Sequence, residues 1–431
     1  YSPITEAWIK AIKVGQRILT IDVTGAYWTD IGRPYTYAKA VFDALRKEGE
    51  TIFAEGSDCS TVNTGGFVSI EGECRFCDGV SLRNCIIIDR KILQSGEYEN
   101  TILGPDFEIR FAEEEVFDLE NGMILIGTGG SDRRYYRQKT EDGMQKEVIV
   151  KYPQSDPDFH RHIEYTRFFR RHNIPVPELH LFDPEERIAI FEDLGDTSLY
   201  NWLKCRRNED QIEMIYRKIL DIALSIHSGL IENISECPLL RERVFDYNYF
   251  RWETDYFIER FVKPFFKNLK IKITVFDDLD RLAQKADSFP KTVIHRDFQS
   301  QNIMIKEDEP RIIDYQGARI GPPAYDIASI LWDPYYRMGD AMRARLLEYY
   351  IMRMSEYSSF DPDGLLNSLL PCRLQRHMQA LGAYGFLSVV KGKRYFLKFV
   401  PEALRMLNEE ITCLREEYPS LFDLISSLTL R

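Results

Sequence analysis

Residues 292–305 read TVIHRDFQSQNIMI, and RIIDYQG follows at 311–317. Asp297 stands two residues after His295, Asn302 five residues after Asp297, and Asp314 twelve residues further on, each beside an apolar run that reads as a short strand. A turn between strands explains any one Asp or Asn. It does not explain all three in this order. Phosphoryl transfer asks little covalent work of a protein. It needs a carboxylate at the attacking hydroxyl and oxygen ligands for a Mg²⁺ ion that bridges the phosphates. Asp297 suits the first task as the catalytic residue, and Asn302 and Asp314 suit the second as metal ligands.

Working outward towards the N-terminus, GTGGSDRRYYR (residues 127–137) follows an apolar run. Glycines let backbone N–H groups approach phosphates closely. Gly129, Gly130, Ser131, Asp132 and Arg133 therefore form a candidate ATP-phosphate loop, although a hairpin turn has the same composition. Lys151 ends the run EVIVK, where an ammonium pointing from a strand end can clamp phosphate oxygens if a carboxylate holds it. Glu164, on the helical stretch DPDFHRHIEYTRFFRRHN, is the candidate partner.

VIHRDFQSQNIMI, IIDYQGARIGPPAYDIASIL and FEDLGDTSL resemble the aminoglycoside phosphotransferase-like branch of the kinase superfamily. Asp314-Tyr315-Gln316 stands where a protein kinase has Asp-Phe-Gly, which speaks against a protein substrate. The resemblance implies ATP and Mg²⁺, with Glu192, Asp193 and Leu194 at the hinge that faces adenine, and with Asp326 bracing the catalytic loop. FRWETDYFIERFV (250–262) and LQRHMQALGAYGFLSVVKGKRYFLKFVPEAL (374–404) look like the bacterial N-acetylmuramate/N-acetylglucosamine anomeric kinases. That likeness implies a small-molecule sugar acceptor phosphorylated at C1, within cell-wall sugar recycling, and leaves Arg251, Glu253, Gln375 and His377 as candidate acceptor contacts. Two other readings stay open: an aminoglycoside phosphotransferase, and a non-catalytic kinase-like binding scaffold.

GAYWTDIGRPYTYAKA (25–40) is similar to the end of sugar-phosphate nucleotidyltransferases, with Asp30 at their Mg²⁺-binding position. No Gly-, Arg- and Lys-rich nucleotide loop precedes Tyr27, and Arg33 stands where Thr is usual, so nucleotidyltransferase activity is not expected of this segment. The expectation is a longer natural protein, fused to or paired with a complete nucleotidyltransferase. Residues 51–112 repeat short β-rich runs between Gly, Asn and Asp turns, as a degenerate β-solenoid does.

The expected fold class is α+β. A two-lobed protein-kinase-like (aminoglycoside phosphotransferase-like) fold follows a nucleotidyltransferase remnant and a short β-solenoid. The units are 1–50 (remnant), 51–112 (left-handed β-helix-like repeats), 113–121 (acidic linker), 122–195 (N-lobe) and 196–431 (C-lobe). A chain of 431 residues has room for these cores, and a net charge of −12 without a basic stripe disfavours nucleic acid or an anionic membrane as partner. No run is long and apolar enough to span a bilayer, and eight Cys in such a length suggest a reducing cytoplasm. Cys59, Cys74, Cys77 and Cys85 include one Cys-x-x-Cys, half of a zinc spacing, and otherwise read as small apolar residues in strands.

Overall fold

The computed structural model describes residues 13–14, 31–89, 92–117, 119–120, 123–128, 132–139, 146–205, 207–357 and 360–428. Asp30 and the glycine-loop residues Gly129, Gly130 and Ser131 lie outside them. PYTYAKAVFDALRK folds as helix α1 (Pro34–Lys47), opened by a proline at its first turn and closed by basic residues at its last.

Seven strands follow: β1 (Ile52–Ala54), β2 (Asn63–Glu71), β3 (Arg75–Phe76), β4 (Val80–Ile88), β5 (Ile92–Leu93), β6 (Gly96–Leu103) and β7 (Glu108–Arg110). β1, β2, β4 and β6 pair in parallel, and β3 pairs with β5 in parallel on a second face. Val68 lies opposite Cys85 and Cys85 opposite Thr101, so one rung takes 17 and then 16 residues. Val68, Ile70, Leu82, Cys85, Ile87 and Leu103 fill the interior with no exposure. Asn84 and Asn100 hold left-handed backbones (φ +49° and +52°), which Asn tolerates better than most residues. They stack: the Asn84 Nδ2 donates to Asn100 Oδ1 at 2.9 Å, and Phe67 N donates to Asn84 Oδ1 at 3.2 Å. Gly66 (φ +63°) completes this ladder, because a Cβ there would stand 2.0 Å from Asn84 Oδ1. Cys59, Cys74 and Cys85 are buried in this core, Cys77 is partly exposed, and no cluster of three or more His, Cys, Asp or Glu among the described residues could hold a metal.

Of the acidic linker expected at 113–121, residues 113–117 pack instead of tethering. Val116 and Phe117 are buried, and Phe117 stacks on Phe42 of α1 with ring centroids 5.9 Å apart. The apolar residues inside the acidic run explain this. From there β8 (Leu119–Glu120) leads directly into the sheet of the upper lobe.

That sheet is antiparallel, in the order β12-β13-β11-β10-β9-β8, with β9 (Met123–Thr128), β10 (Arg134–Lys139), β11 (Lys146–Lys151), β12 (Leu179–Asp183) and β13 (Ile188–Glu192). Helix α2 (Asp158–Arg171) crosses it and buries Phe159 and Ile163 against Val150, Ala189 and Phe191.

The lower lobe is helical. Helix α3 (Leu199–Lys204) starts at Ser198, whose side chain accepts from Asn201 N, and α4 (Glu209–Gly229) starts with a reciprocal Asn208–Gln211 cap. α5 (Tyr247–Phe257), α6 (Ile273–Asp287), α7 (Ala324–Leu331), α8 (Asp340–Met354), α9 (Pro362–Gly385), α10 (Val400–Cys413) and α11 (Pro419–Ser426) enclose two apolar cores. Two small antiparallel strand pairs interrupt the helices, β14 (Thr292–Ile294) with β17 (Arg319–Gly321) and, between them in the chain, the hairpin β15 (Ile303–Lys306) with β16 (Glu309–Ile312). They carry the motif residues. No helix among the described residues is long and apolar enough to cross a membrane.

Candidate active site

The loop after β14 is shaped by Asp326, a fully buried residue of α7. Its Oδ2 accepts from His295 N at 2.7 Å and its Oδ1 from Arg296 N at 2.8 Å, while His227 Nε2 lies 3.1 Å from Oδ2. This grip holds Arg296 at φ +78°, a backbone that a long side chain rarely adopts unaided. Burial keeps the His295 imidazole below its usual pKa, and its Nε2 lies 3.0 Å from Ile313 O, tying the loop to the strand before Asp314.

The Asp297 carboxylate is 2.7 Å from Arg296 Nη1 and 3.9 Å from Arg376 Nη2. Burial pushes this carboxyl up, but the Arg296 and Arg376 guanidiniums outweigh it and hold it below the ordinary range. Asp297 is therefore ionised. Asn302 Nδ2 donates to Asp297 O at 2.9 Å, which turns the amide oxygen away from that contact. Asp314, left-handed at φ +61°, accepts from Gln316 Nε2 at 2.6 Å and presents its carboxylate to the cleft. Although its side chain is open to the cleft, protein surrounds it closely; this, and next the Asp297 charge, push its carboxyl up to about 6.

Two cavities meet here. The larger, about 410 Å³, lies between the lobes; Ile126, Val148 and Val150 line it from above and Met304 and Ile313 from below, with Glu192, Asp193, Leu194 and Gly195 along its edge. The smaller, about 250 Å³, is walled by Asp297, Gln301, Arg376, Gln379, Tyr384 and Lys393. Asn302 and Asp314 line both.

The expected Lys151–Glu164 pair is not formed. Strand alternation turns Val148 and Val150 to the cavity, which puts the Lys151 ammonium on the opposite face, 4.9 Å from the Tyr136 ring centre. Glu164 pairs with Arg167 at the surface. His162, two residues earlier on α2, faces the cavity and stacks on Phe191 at 4.7 Å. Arg133 is a buried cation that lines the larger cavity. It makes a bidentate pair with Asp156 (2.6 and 3.0 Å) and a third bond to Asp158 at 2.8 Å. Its neighbour Asp132 is exposed and reaches Lys391 of the lower lobe at 2.9 Å. Glu192 is bonded by Lys306 at 2.6 Å, and Asp193 is gripped by Arg137.

The four expected acceptor contacts do not line the smaller cavity. Arg251 is bonded to Asp280 and Asp255, and His377 bridges Glu410 and Trp332 O. Gln375 is buried within α9. Glu253 is fully buried behind Arg296, accepting from Arg296 Nη2 at 2.9 Å and from the Tyr325 hydroxyl at 2.7 Å, so it braces the loop from below. One residue along a helix is a turn of about 100°. That step separates Gln375 from Arg376, and the face of α9 that reaches the cavity includes Arg376, Gln379, Ala380 and Ala383, with Tyr384 next to them. The spacing i, i+3, i+4, i+7 was the signal available in the sequence.

Residues 123–363 match the APH family, described as the phosphotransferase enzyme family. The N-acetylmuramate/N-acetylglucosamine kinase of Pseudomonas aeruginosa is 23% identical over 310 residues, which cover 71% of this chain and 88% of that one. Its namesake from Neisseria meningitidis serogroup B is 24% identical over 305 residues, covering 68% and 85%. Among solved structures, an ethanolamine kinase of Plasmodium vivax aligns with a TM-score of 0.47 at 13% identity, over 71% of this chain and 86% of that one. The chain belongs to the phosphotransferase enzyme family and is a kinase that acts on a hydroxyl acceptor.

Proposed function

We propose that the chain transfers the γ-phosphoryl group of Mg²⁺–ATP to a sugar hydroxyl, the anomeric one of an N-acetylated amino sugar. The observation that carries this reading is the meeting of two cavities at Asn302 and Asp314, with Asp297 on the far side. A nucleotide in the larger cavity would deliver its terminal phosphate to that junction. An acceptor in the smaller one would lie beside Asp297. The names of the relatives support the sugar.

The residues at the junction suit Mg²⁺. Asn302 offers a neutral oxygen, and Asp314 a carboxylate crowded by a second negative charge, which a divalent cation would relieve. When bound at Asn302 and Asp314, the ion would supply positive charge against the charge that develops on the phosphates. Arg133, held in its plane by Asp156, would meet the phosphates from the glycine loop. The hinge from Glu192 to Gly195 would meet adenine. Asp297, ionised and fixed by Arg296, accepts a hydrogen bond from the attacking hydroxyl and aims it. With its low proton affinity it orients the acceptor more than it withdraws a proton early, as a loose transition state allows.

Arg376 and Lys393 wall the acceptor cavity and weigh against a polycationic aminoglycoside. The arrangement around Asp297 weighs against a mere scaffold, since binding alone needs no aligned carboxylate. The finer reading includes a cytoplasmic setting, in keeping with eight free thiols, and a role in cell-wall sugar recycling, with a sugar 1-phosphate handed to a nucleotidyltransferase carried on or beside this chain. An ATP-consumption screen across N-acetylated amino sugars, neutral sugars and aminoglycosides tests the reading, with ³¹P NMR locating the phosphate. We expect an anomeric phosphate on an N-acetylated amino sugar. Turnover confined to aminoglycosides would overturn the acceptor, and no ATP turnover with any hydroxyl compound would overturn the kinase chemistry.

A further inference from the structure

The solenoid does not sit apart from the cleft. It bonds to the back of the segment whose front lines the nucleotide cavity. Asp193, Leu194 and Gly195 line that cavity, and Asp196 and Thr197 come next in the chain. Asp196 Oδ2 accepts from Gly66 N at 2.9 Å and lies 3.2 Å from Arg83 Nη2, both on the solenoid. Its other oxygen accepts from Arg137 Nη1 at 2.8 Å. The same guanidinium grips Asp193 through Nε (2.6 Å) and Nη2 (2.8 Å), and Asp193 Oδ1 in turn accepts from Gly195 N at 2.9 Å. Thr197 Oγ1 donates to Thr64 O of β2. Below, Ile305 N donates to Thr197 O at 2.8 Å, joining the segment to the strand that begins beside Asn302.

These bonds are protected from water. The side chains of Arg137 and Asp193 are each 8% exposed and that of Asp196 17%. Charge-assisted bonds in such a setting are stronger and more directional than surface ion pairs. They also continue the ladder of the rungs. Asn100 meets Asn84, Asn84 takes the amide of Phe67, and Gly66 presents the next amide to Asp196. The left-handed Gly66 is the position where the rung's internal ladder becomes an outward contact. An independent module tethered by a linker would need none of this.

We propose that the β-solenoid is a working part of the nucleotide site, with Asp196 setting the position of the adenine-facing hinge and Arg83 acting from the solenoid as a positioning residue for ATP. This rests on the reading of the larger cavity as the ATP site. Arg83 touches neither cavity, and a quarter of its side chain is exposed, so replacing it perturbs the hinge and not the chemistry. The coupling is reciprocal by linkage: whatever the solenoid does for ATP, ATP does for the solenoid.

The experiment uses the full chain, a non-hydrolysable ATP analogue with Mg²⁺, and steady-state kinetics on the best acceptor. In Arg83→Ala the dissociation constant of the analogue and the KM for ATP should rise about fivefold, the low end of an inter-site coupling. kcat at saturating ATP and the KM for the acceptor should stay within about twofold, a split that general loss of structure does not give. Arg83→Lys should restore much of the affinity. Arg110→Ala, at another arginine of the solenoid, paired among the described residues only with Glu108 at the surface, should leave it unchanged. In hydrogen exchange the analogue should slow the amides of β2 in the unmodified chain, and less so in Arg83→Ala. Unchanged analogue affinity in both Arg83→Ala and Asp196→Asn would overturn the proposal, and so would β2 amides that ignore the analogue. If the unmodified chain does not bind the analogue, the ATP reading itself fails, which is a different result.

Discussion

The lower and upper halves of the cleft are built on different principles. Below, Asp297 and Asn302, proposed to carry the chemistry, occupy one short loop, and its shape is fixed through backbone N–H groups held by Asp326. Any sequence that makes this turn and keeps Asp326 places Asp297 and Asn302 together. Above, whether a residue of β11 reaches the cleft depends on which face of the strand it occupies. A shift of one residue exchanges the cleft for the reverse face, as Lys151 beside Val150 shows. A contiguous motif carries its own geometry, whereas a strand residue takes its geometry from register.

The largest effect tests the lower half. Asp297→Asn should lower kcat by ~10²–10⁴-fold with ATP binding intact, measured by single turnover and analogue titration, as expected for loss of a group that aims the nucleophile. Next comes the upper half. Arg133→Lys keeps a charge but not the fork that matches Asp156 and a phosphate, so kcat/KM for ATP should fall by ~10–10²-fold. Lys151→Ala and Glu164→Ala would break the comparison if they cost as much. They should stay within about twofold in the same assay.

A third test is pH. The Asp314 carboxyl, pushed up to about 6, must be ionised to bind a cation. Mg²⁺ affinity, followed by calorimetry with the ATP analogue and with acceptor absent, should be level above pH 6. Below pH 6 it should fall about tenfold per unit through this group. Asp314→Asn should bind Mg²⁺ more weakly and lose the slope assigned to that carboxyl. The smallest of the damaging changes is Glu253→Gln. It removes the charge that holds Arg296 from behind the loop, leaving that guanidinium to its pairing with Asp297, and should cut kcat several-fold, about 1 kcal/mol, with little change in the KM for ATP.

The sequence made the lower half legible for the same reason that the fold makes it robust. HRDxxxxN and IID lie between apolar strands, and local turn chemistry carries most of their geometry. The repeats of the solenoid were also visible, as short β-rich runs between Gly, Asn and Asp turns, and the structure stacks Asn84 on Asn100 one rung of 16 residues apart. What stayed hidden was orientation. Gln375 and His377 flank the true cavity residue Arg376, and only the rotation of α9 separates them. Glu253 was a candidate acceptor contact because it lies in the stretch that resembles the sugar kinases, yet burial behind Arg296 is a three-dimensional fact. The union of solenoid and hinge joins residues about 130 positions apart, with no shared motif to announce it.

Asp326 has a further consequence. Both of its oxygens are committed to the loop and to His227, and it has no exposure to water. The lower lobe cannot keep its packed core and lose this loop's shape, because that would strand a carboxylate and two amides in the interior. On heating, activity and helical structure should therefore vanish in one cooperative step, leaving no temperature range in which the lobe is intact but inert.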